Sequence, residues 1–254
     1  MNLNSNIPTG AIFCAIAGLF FAGGCASVPR MPSQPPVPAA PAAAYHTVEK
    51  GQTLWRISRL YGVDMRRLMS ANGISDPARI SLGQRLIIPG MPAVPGSITG
   101  GLDDGAVERL VGRPSGHVSW RTITVHHSAT RYGNARVFDR SHRNRGMGGL
   151  FYHFLIGNGN GSGDGTIEVG WRWKQQREVN RPRDIQICLV GNFMKQQITA
   201  RQYDALRRLI AVLRRRYAIT APVRRHCDVA KKATECPGRN FPYGRLLQDI
   251  RDGR

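Results

Sequence analysis

The sequence predicts two folded units: a small strand–helix–helix–strand module, followed by an α/β domain in which a mixed sheet is flanked by helices. Stretches rich in proline and glycine divide the 254 residues into a short and a long segment. Both segments contain apolar runs typical of strands and apolar residues at helical spacing, and the order of these runs gives the fold class. The hydrophobic content of 41% is ordinary for a globular protein, so disorder throughout the chain is excluded.

The chain begins with a predicted targeting segment over residues 1–25. Residues 11–24 are apolar or small and uncharged, which is typical of a signal peptide. The sequence Ala22-Gly23-Gly24-Cys25 resembles the lipobox of bacterial lipoproteins, which implies that Cys25 is lipidated and anchors the protein to a membrane. No Lys or Arg precedes the run, and Ala22 stands where the box prefers Leu, so a non-lipid signal peptide and an uncleaved anchor helix are the alternatives. All three predict that the protein is exported, and a membrane-anchored lipoprotein of the cell envelope is the preferred prediction.

Two segments of low complexity separate the predicted units. Residues 26–44 are rich in proline and alanine and almost uncharged, a composition that predicts an extended tether. Residues 91–105, rich in Gly and Pro, are the second linker. The folded units are therefore expected at residues 45–90 and 106–254.

The short unit begins with a strand at Tyr45–Val48 and continues with a helix from Leu54. A second helix starts near Met65 and stops near Asn72, and Arg85–Pro89 is the closing strand. The pattern Tyr45-His46-Thr47-Val48-x-x-Gly51-x-Thr53-Leu54, with Leu82-Gly83-Gln84-x-Leu86-x-Ile88-Pro89, resembles a LysM domain.

The resemblance to LysM domains implies binding of glycans that contain N-acetylglucosamine, such as peptidoglycan or chitin. The groove would lie between the loop at residues 51–54 and the loop at residues 72–80. A module that serves only as a spacer is the alternative. The residues expected to contact the glycan are Gly51, Thr53, Leu54, Asn72 and Ile74.

The long unit has the pattern of a mixed α/β domain. A helix is expected at Ala135–Arg145, and a second begins after Thr199, which can form a capping box with Gln202. The arginines of this second helix are interpreted as a solvated face, with attraction to anionic wall polymer as the functional alternative. Strands are predicted at Thr122–Val125, Leu150–Ile156, Thr166–Val169 and Ile185–Val190.

The net charge of +20, from 36 basic and 16 acidic residues, favours a polyanionic partner. Nucleic acid, an anionic membrane and bacterial wall polymers all fit this charge. Predicted export and the lack of a nucleic-acid-binding motif disfavour nucleic acid. The chain is expected to be a monomer.

Histidine and cysteine are the residues to consider for a metal site, because zinc takes neutral imidazole and thiolate ligands. His126 follows an apolar strand, and His226 precedes Cys236 by ten residues. A single histidine at a strand end is more often structural than a metal ligand. The hypothesis of a metal site therefore depends on the ordered set of motifs in which these three residues occur.

That joint pattern resembles the zinc N-acetylmuramoyl-L-alanine amidases, a family that includes phage lysozyme-type amidases and peptidoglycan recognition proteins. The resemblance implies that His126, His226 and Cys236 bind Zn²⁺ and that Tyr152 and Thr234 line the reacting centre. It also implies cleavage of the amide between N-acetylmuramic acid and L-alanine by a zinc-activated water. The four motifs that carry the resemblance are Thr124-Val125-His126-His127-Ser128-Ala129-Thr130; Phe151-Tyr152-His153-Phe154-Leu155-Ile156; Ile187-Cys188-Leu189-Val190-Gly191-Asn192-Phe193; and His226-x-x-Val229 leading to Ala233-Thr234-Glu235-Cys236-Pro237-Gly238.

Three departures from the family pattern matter. Cys188 stands where some relatives carry a Glu near the metal, which places this chain on the branch that uses a tyrosine. Thr234 stands where some relatives carry Lys. Residues 172–183 lack the Gly-Ala-His-like element of many relatives, so recognition of the stem peptide is the least transferable property.

Several alternatives remain open on the sequence alone. His127 is expected to point away from His126, and His153 is interpreted as a packing residue. A disulfide between Cys227 and Cys236 in an oxidising compartment would destroy the zinc site. A peptidoglycan-binding protein without turnover is the main functional alternative. In the preferred interpretation, the first module raises the local substrate concentration through a tether.

Overall fold

The computed structural model describes residues 44–90, 102–113 and 118–253. The predicted signal peptide, Cys25, the tether up to residue 43 and residues 91–101 of the predicted linker lie outside the described residues. Within the described ranges, no helix is both long enough and apolar enough to cross a membrane.

The N-terminal module, residues 44–90, has the predicted order of strand, helix, helix and strand. Strand β1 (Ala44–Thr47) pairs antiparallel with β2 (Arg85–Ile88), and helices α1 (Leu54–Tyr61) and α2 (Met65–Ala71) lie between them in the chain. Its core consists of buried apolar side chains from both helices, from β2 and from the residue that follows β1. They include Leu54, Ile57, Tyr61, Leu68, Leu86 and Ile88.

The C-terminal domain, residues 102–253, is built on a five-stranded mixed sheet with the order β5-β4-β6-β3-β7. Strands β4, β6, β3 and β7 run parallel, and β5 is antiparallel to β4. This confirms the predicted fold class. The strands are β3 (Thr122–His127), β4 (Phe154–Ile156), β5 (Ile167–Val169), β6 (Asp184–Leu189) and β7 (Arg224–Arg225).

The central strand β6 is buried along its whole length, as its apolar sequence predicts. The predicted strand at residues 150–156 is shorter in the structure, since only Phe154–Ile156 joins the sheet. The segment before it, residues 150–153, is irregular and passes close to the ends of β3 and β6. That irregular segment carries Tyr152.

Six helices, α3 to α8, accompany the sheet in the described part of the domain. The longest, α6, starts at the predicted capping box of Thr199 and Gln202 and buries its apolar stripe in the main core. Helix α4 matches its predicted range. The helices are α3 (Asp104–Val111), α4 (Ala135–Asn144), α5 (Trp171–Lys174), α6 (Ala200–Tyr217), α7 (His226–Val229) and α8 (Tyr243–Arg251).

Some arginines of α6, which the sequence analysis interpreted as a solvated face, form ion pairs with a neighbouring helix. Arg208 and Arg215 form ion pairs with Asp104, and Arg215 also pairs with Glu108. Both acidic residues belong to α3, which begins inside the range predicted as linker. Part of the basic face therefore holds α3 against α6, and α3 buries Val107 and Val111 in the domain core.

Candidate metal centre

Strand register brings His126 and His226 together. Strands β3 and β7 are parallel neighbours, and the last pair in their register is Val125 with Arg225. His126 and His226 each follow directly, so they lie side by side at the carboxyl end of the sheet, where open α/β sheets commonly bind ligands. Their ring centroids are 4.4 Å apart.

Cys236 completes the cluster from the loop after α7. Its Sγ lies 3.9 Å from His126 Nδ1 and accepts a 3.3 Å hydrogen bond from the His127 backbone N–H. One ligand atom from each of His126, His226 and Cys236 lies within 4.8 Å of the other two. The structure thus brings together the three residues that the sequence predicted as metal ligands.

The three side chains fit a zinc ion. Zn–S and Zn–N bonds of about 2.3 Å and 2.0–2.1 Å together span about 4.4 Å, so one ion can bind the sulfur and nitrogen that lie 3.9 Å apart. Two imidazoles and one sulfur form a three-ligand set, which leaves a tetrahedral ion one position for water or substrate. The backbone N–H directed at Cys236 also favours a thiolate there.

A buried amide sets the orientation of His126. Its Nε2–H donates to Gln186 Oε1 at 2.6 Å, which leaves the lone pair of Nδ1 directed toward Cys236. Gln186 in turn donates from Nε2 to Asp184 at 2.8 Å, so the amide cannot rotate without losing that bond. Such partners of metal-binding histidines fix the ring and its tautomer.

Asp184 anchors this chain of hydrogen bonds. It is fully buried and accepts bonds from Thr122, Thr124 and Arg181 at 2.8–3.1 Å. Burial by itself would raise the pKa of Asp184, but the bonds from Arg181 and the threonines outweigh it and hold the pKa below its usual value. The carboxylate is therefore charged and fully bonded at neutral pH.

The protonation of the cluster follows from its burial. Burial, followed by the nearby His226, lowers the pKa of His126 to about 3, so the imidazole is neutral at neutral pH. Burial raises the pKa of the Cys236 thiol to about 12, against the effect of the His127 N–H. Metal binding at Cys236 must therefore release a proton, as at other thiolate sites.

Tyr152 stands beside the metal cluster. Its ring centroid is 5.2 Å from that of His126 and 5.7 Å from that of His142. Burial, and next the sulfurs of Cys188 and Cys236, raise the pKa of Tyr152 well above its ordinary value. The phenol is therefore protonated at neutral pH and able to donate a hydrogen bond.

Thr234 has a local structural contact. Its Oγ1 accepts the Cys236 N–H at 3.3 Å, which shapes the turn that presents the sulfur. Cys188 is fully buried beside Tyr152, at the strand position paired with His126. Cys188, Cys227 and Cys236 are free thiols, and the Cys227 N–H donates to the backbone oxygen of Cys236 at 2.8 Å.

The two other histidines near the site have structural contacts. His127 lies on the opposite face of β3 from His126, and its Nδ1 accepts the Phe193 N–H at 3.2 Å. His153 is fully buried: its Nδ1 accepts the Gln186 N–H, and its ring packs against Trp120. Both outcomes agree with the sequence interpretation.

The predicted glycan contacts in the N-terminal module are mostly engaged in its fold. Leu54 was predicted as a glycan contact, and its side chain is fully buried in the module core. Thr53 caps helix α1, and Ile74 packs against the module core. The side-chain amide of Asn72 forms two hydrogen bonds with the backbone of Ile87 in β2. Gly51 is exposed at the turn before α1, with a φ of 78°.

Sequence reasoning missed Gln186, Asp184 and the threonines of β3. The signal was a polar residue at every second position of two strands, at 122, 124 and 126 and again at 184 and 186. Alternate residues share one face of a strand. The parallel register pairs Thr124 with Gln186, which joins the two polar rows.

Two protein families match this chain. The family described as N-acetylmuramoyl-L-alanine amidase matches residues 116–239, and the family described as LysM domain matches residues 46–89.

Individual proteins are similar over parts of the chain. An endolysin from Clostridium intestinale, described as an N-acetylmuramoyl-L-alanine amidase, is 31% identical, with a TM-score of 0.47 over 53% of this chain and 85% of that one. Human PGRP-IBETAC, solved with a glycosamyl muramyl pentapeptide, is 21% identical, with a TM-score of 0.42 over 54% of this chain and 91% of that one. The Escherichia coli protein described as uncharacterized lipoprotein YgeR is 47% identical over 45 residues, which is 18% of each chain.

Proposed function

Because the chain joins a LysM domain to a domain of the N-acetylmuramoyl-L-alanine amidase family, we propose that it is a zinc-dependent peptidoglycan amidase. The reaction is hydrolysis of the amide that links the lactyl group of N-acetylmuramic acid to L-alanine of the stem peptide. The observation that carries this proposal is the convergence of His126, His226 and Cys236 beside the protonated Tyr152.

His126, His226 and Cys236 would hold the metal, with His126 binding through Nδ1 because its Nε2–H is engaged by Gln186. Zinc bound there would polarise the amide carbonyl and lower the pKa of a water molecule from 15.7 to about 7. The buried chain from Gln186 to Asp184 keeps the His126 ring in the orientation that binds the metal, and burial keeps that ring neutral.

Tyr152 is proposed to donate its phenolic proton in a hydrogen bond to the amide oxygen as negative charge develops on it. Its raised pKa supports this role, since a phenolate could not donate. One well-placed donor of this kind contributes on the order of 10²-fold or more to turnover. Thr234, whose oxygen already accepts the Cys236 N–H, is proposed to assist with its hydroxyl hydrogen.

The LysM domain is proposed to bind the glycan strand of peptidoglycan. Three large apolar side chains are exposed on it: Leu82 at 74%, Trp55 at 60% and Ile87 at 36%. Trp55 directly follows the first predicted groove loop, and Leu82 precedes β2. Exposed flat or apolar side chains of this kind are suited to pack against the apolar faces of sugar rings. The loop residues would contribute mainly through backbone groups and the shape of the loops; they are Gly51, Thr53, Asn72 and Ile74.

An envelope location is proposed for the whole protein, with Cys25 as a lipid anchor. The similarity to an Escherichia coli protein described as a lipoprotein supports this location, as does the family of the LysM domain. Mass spectrometry of the mature protein tests the anchor: an acylated N-terminal Cys25 is expected, and an unmodified N-terminus at another residue contradicts it.

Digestion of purified sacculi tests the proposed reaction. The full chain with zinc should release free stem peptides and leave intact glycan strands, and a chelator should stop the release. A peptidoglycan-binding protein without turnover, the alternative function, would sediment with the sacculi and release no peptide. The intact ligand set and Tyr152 favour the hydrolase.

A further inference from the structure

The LysM domain contacts the amidase domain along the free edge of its sheet. The Thr47 N–H donates to Asn160 Oδ1 at 2.9 Å, and the Gly161 N–H donates to the backbone oxygen of Tyr45. Strand β1 already pairs with β2 on its other edge. The loop at residues 160–161 therefore satisfies polar groups that an unpaired sheet edge would leave open.

A second contact joins the ends of two helices. Arg140 on α4 donates from Nη1 to the backbone oxygens of Arg59 at 2.9 Å and Leu60 at 3.3 Å. These oxygens lie in the last turn of α1, where carbonyls lack partners within the helix and a cation is favourable. Gly62 ends α1 with a φ of 63°, and the guanidinium of Arg140 occupies the space that a Cβ there would need.

The third contact is apolar. Val137 on α4 is 8% exposed and belongs to the core cluster of the LysM domain, together with Tyr61. His46, which is bonded to the Tyr61 hydroxyl at 2.9 Å, also meets the ring of Tyr132 at 4.9 Å. The LysM core therefore includes a side chain of the amidase domain.

Helix α4 also supports the segment that carries Tyr152. Asp139 accepts the Leu150 N–H at 2.7 Å, and His142 Nδ1 accepts the Phe151 N–H at 3.0 Å. The His142 ring in turn lies against the Tyr152 ring. One helix thus contacts the LysM domain through Val137 and Arg140 and the reacting centre through Asp139 and His142.

We propose that the LysM domain is a structural part of the catalytic unit, which fixes α4 and through it the position of Tyr152. The part concerning turnover rests on the proposed amidase function, whereas the docking itself does not. In this arrangement Val137 and Arg140 are positioning residues. The domain then acts on hydrolysis of every substrate, including fragments too small to reach its glycan groove. A module that acted only through effective concentration would leave such fragments unaffected.

Hydrogen exchange of the full chain tests the docking. Val137→Asp places a carboxylate in the shared core, and Arg136→Asp places the same group on the exposed side of α4 as a matched control. We expect at least about tenfold faster exchange in Val137→Asp for the amides of Thr47, Gly161 and Phe151, because local opening becomes easier. Arg136→Asp should exchange like the unaltered chain.

Two milder substitutions of Arg140 test the docking even if Val137→Asp fails to fold. Arg140→Ala removes the bonds to the end of α1 and should accelerate exchange of the same amides. Arg140→Lys keeps a cation that can reach one of the carbonyls and should restore part of the protection. Unaltered protein whose Thr47 and Gly161 amides exchange as fast as in Val137→Asp would overturn the docking.

Turnover of a soluble fragment with a single sugar tests the link to Tyr152. We expect kcat to fall several-fold in Val137→Asp and Arg140→Ala with zinc content unchanged, and to be unchanged in Arg136→Asp. Faster exchange at Thr47 with unaltered exchange at Phe151 and unaltered kcat would overturn the link. If the unaltered chain cleaves no muropeptide, the proposed function fails, and exchange at Phe151 still decides the structural claim.

Discussion

The candidate metal centre and the predicted glycan groove differ in how their residues are used. At the metal centre, the predicted residues converge, and a buried chain of hydrogen bonds orients His126. In the LysM domain, Leu54 is buried in the hydrophobic core and Thr53 caps helix α1. The side chain of Asn72 is hydrogen-bonded to the backbone of β2. A motif can therefore mark candidate site residues directly, or mark the fold that presents other groups, such as the exposed Trp55 that we propose as a glycan contact.

The largest effect is expected from His226→Ala, which removes one of the three proposed metal ligands. Zinc content and hydrolysis should both be lost, and stability should fall because metal binding is coupled to folding. The loss should exceed the 10–100-fold that is typical of residues behind the ligands. Metal analysis of the purified variant checks this, and retention of one tightly bound zinc would remove His226 from the ligand set.

Tyr152→Phe separates donation of a hydrogen bond from metal binding. Phe keeps the ring against His126 and His142 and removes only the hydroxyl, so zinc should remain while kcat falls by about 10²-fold. Substrate affinity should change little, because the contact strengthens as charge develops. Full turnover with full zinc would exclude Tyr152 and move attention to Thr234.

Gln186→Leu tests the chain of hydrogen bonds behind the proposed metal ligand His126. The variant leaves His126 Nε2 without its acceptor and removes one of the donors to Asp184, so zinc affinity should fall about 10–100-fold. Gln186→Glu keeps an acceptor for His126 and should bind zinc more tightly than Gln186→Leu. Exposed Gln197 provides the control, since Gln197→Leu should not alter the affinity. Competition with a zinc chelator measures it, and equal affinities in the Leu and Glu variants would contradict the role.

The buried histidine beside this network should make the metal-free protein sensitive to acid. Burial lowers the pKa of His153 to about 4, from an ordinary value of about 6.5. The unfolded chain then binds more protons between these values, so the contribution of His153 is complete above pH 6.5 and is lost as the pH falls toward 4. The loss is at most about 3 kcal/mol.

Urea unfolding between pH 4 and pH 8 checks the effect of His153. His153→Phe should be less stable at pH 7, because the Gln186 N–H and the Arg177 carbonyl lose a partner. Its free energy of unfolding should nevertheless depend less on pH below 6.5 than that of the unaltered chain. An equal pH dependence in both proteins would contradict the assignment.

The smallest effect is expected from Trp55→Ala in the LysM domain. Trp55 is exposed, so the variant should fold normally and bind insoluble peptidoglycan up to about tenfold more weakly, a change of about 1.4 kcal/mol. Trp55→Phe should restore part of the binding. Sedimentation with sacculi measures retention, and unchanged retention in Trp55→Ala would place the glycan contact elsewhere on the domain.

The sequence predicted those features that depend on residue type and local spacing. Apolar periodicity located β6 and α6, and the joint motifs located His126, His226 and Cys236. Helix α3 was missed because its apolar residues are few and follow a stretch rich in Gly and Pro. Its stability comes from packing and ion pairs with α6, which local sequence does not contain.

The partners of the site residues needed the three-dimensional register. Gln186 lies in β6, which was predicted from its apolar residues. The polar residues on one face of that strand, at 184 and 186, did not enter the prediction. Its bond to His126 depends on the pairing of β3 with β6. The docking of the LysM domain on α4 was also beyond the sequence, since Val137 and Arg140 look like ordinary residues of an amphipathic helix.

Hydrolysis of a defined muropeptide in water enriched in ¹⁸O tests the central claim most directly. Cleavage of the proposed amide bond by water places the new oxygen on the lactyl carboxyl group of N-acetylmuramic acid and leaves L-alanine with a free amino group. The zinc-loaded chain should give a sugar fragment that carries one ¹⁸O and an unlabelled stem peptide that begins with L-alanine. Label in a peptide fragment, or intact muropeptide after prolonged incubation with the zinc-loaded chain, would contradict the account.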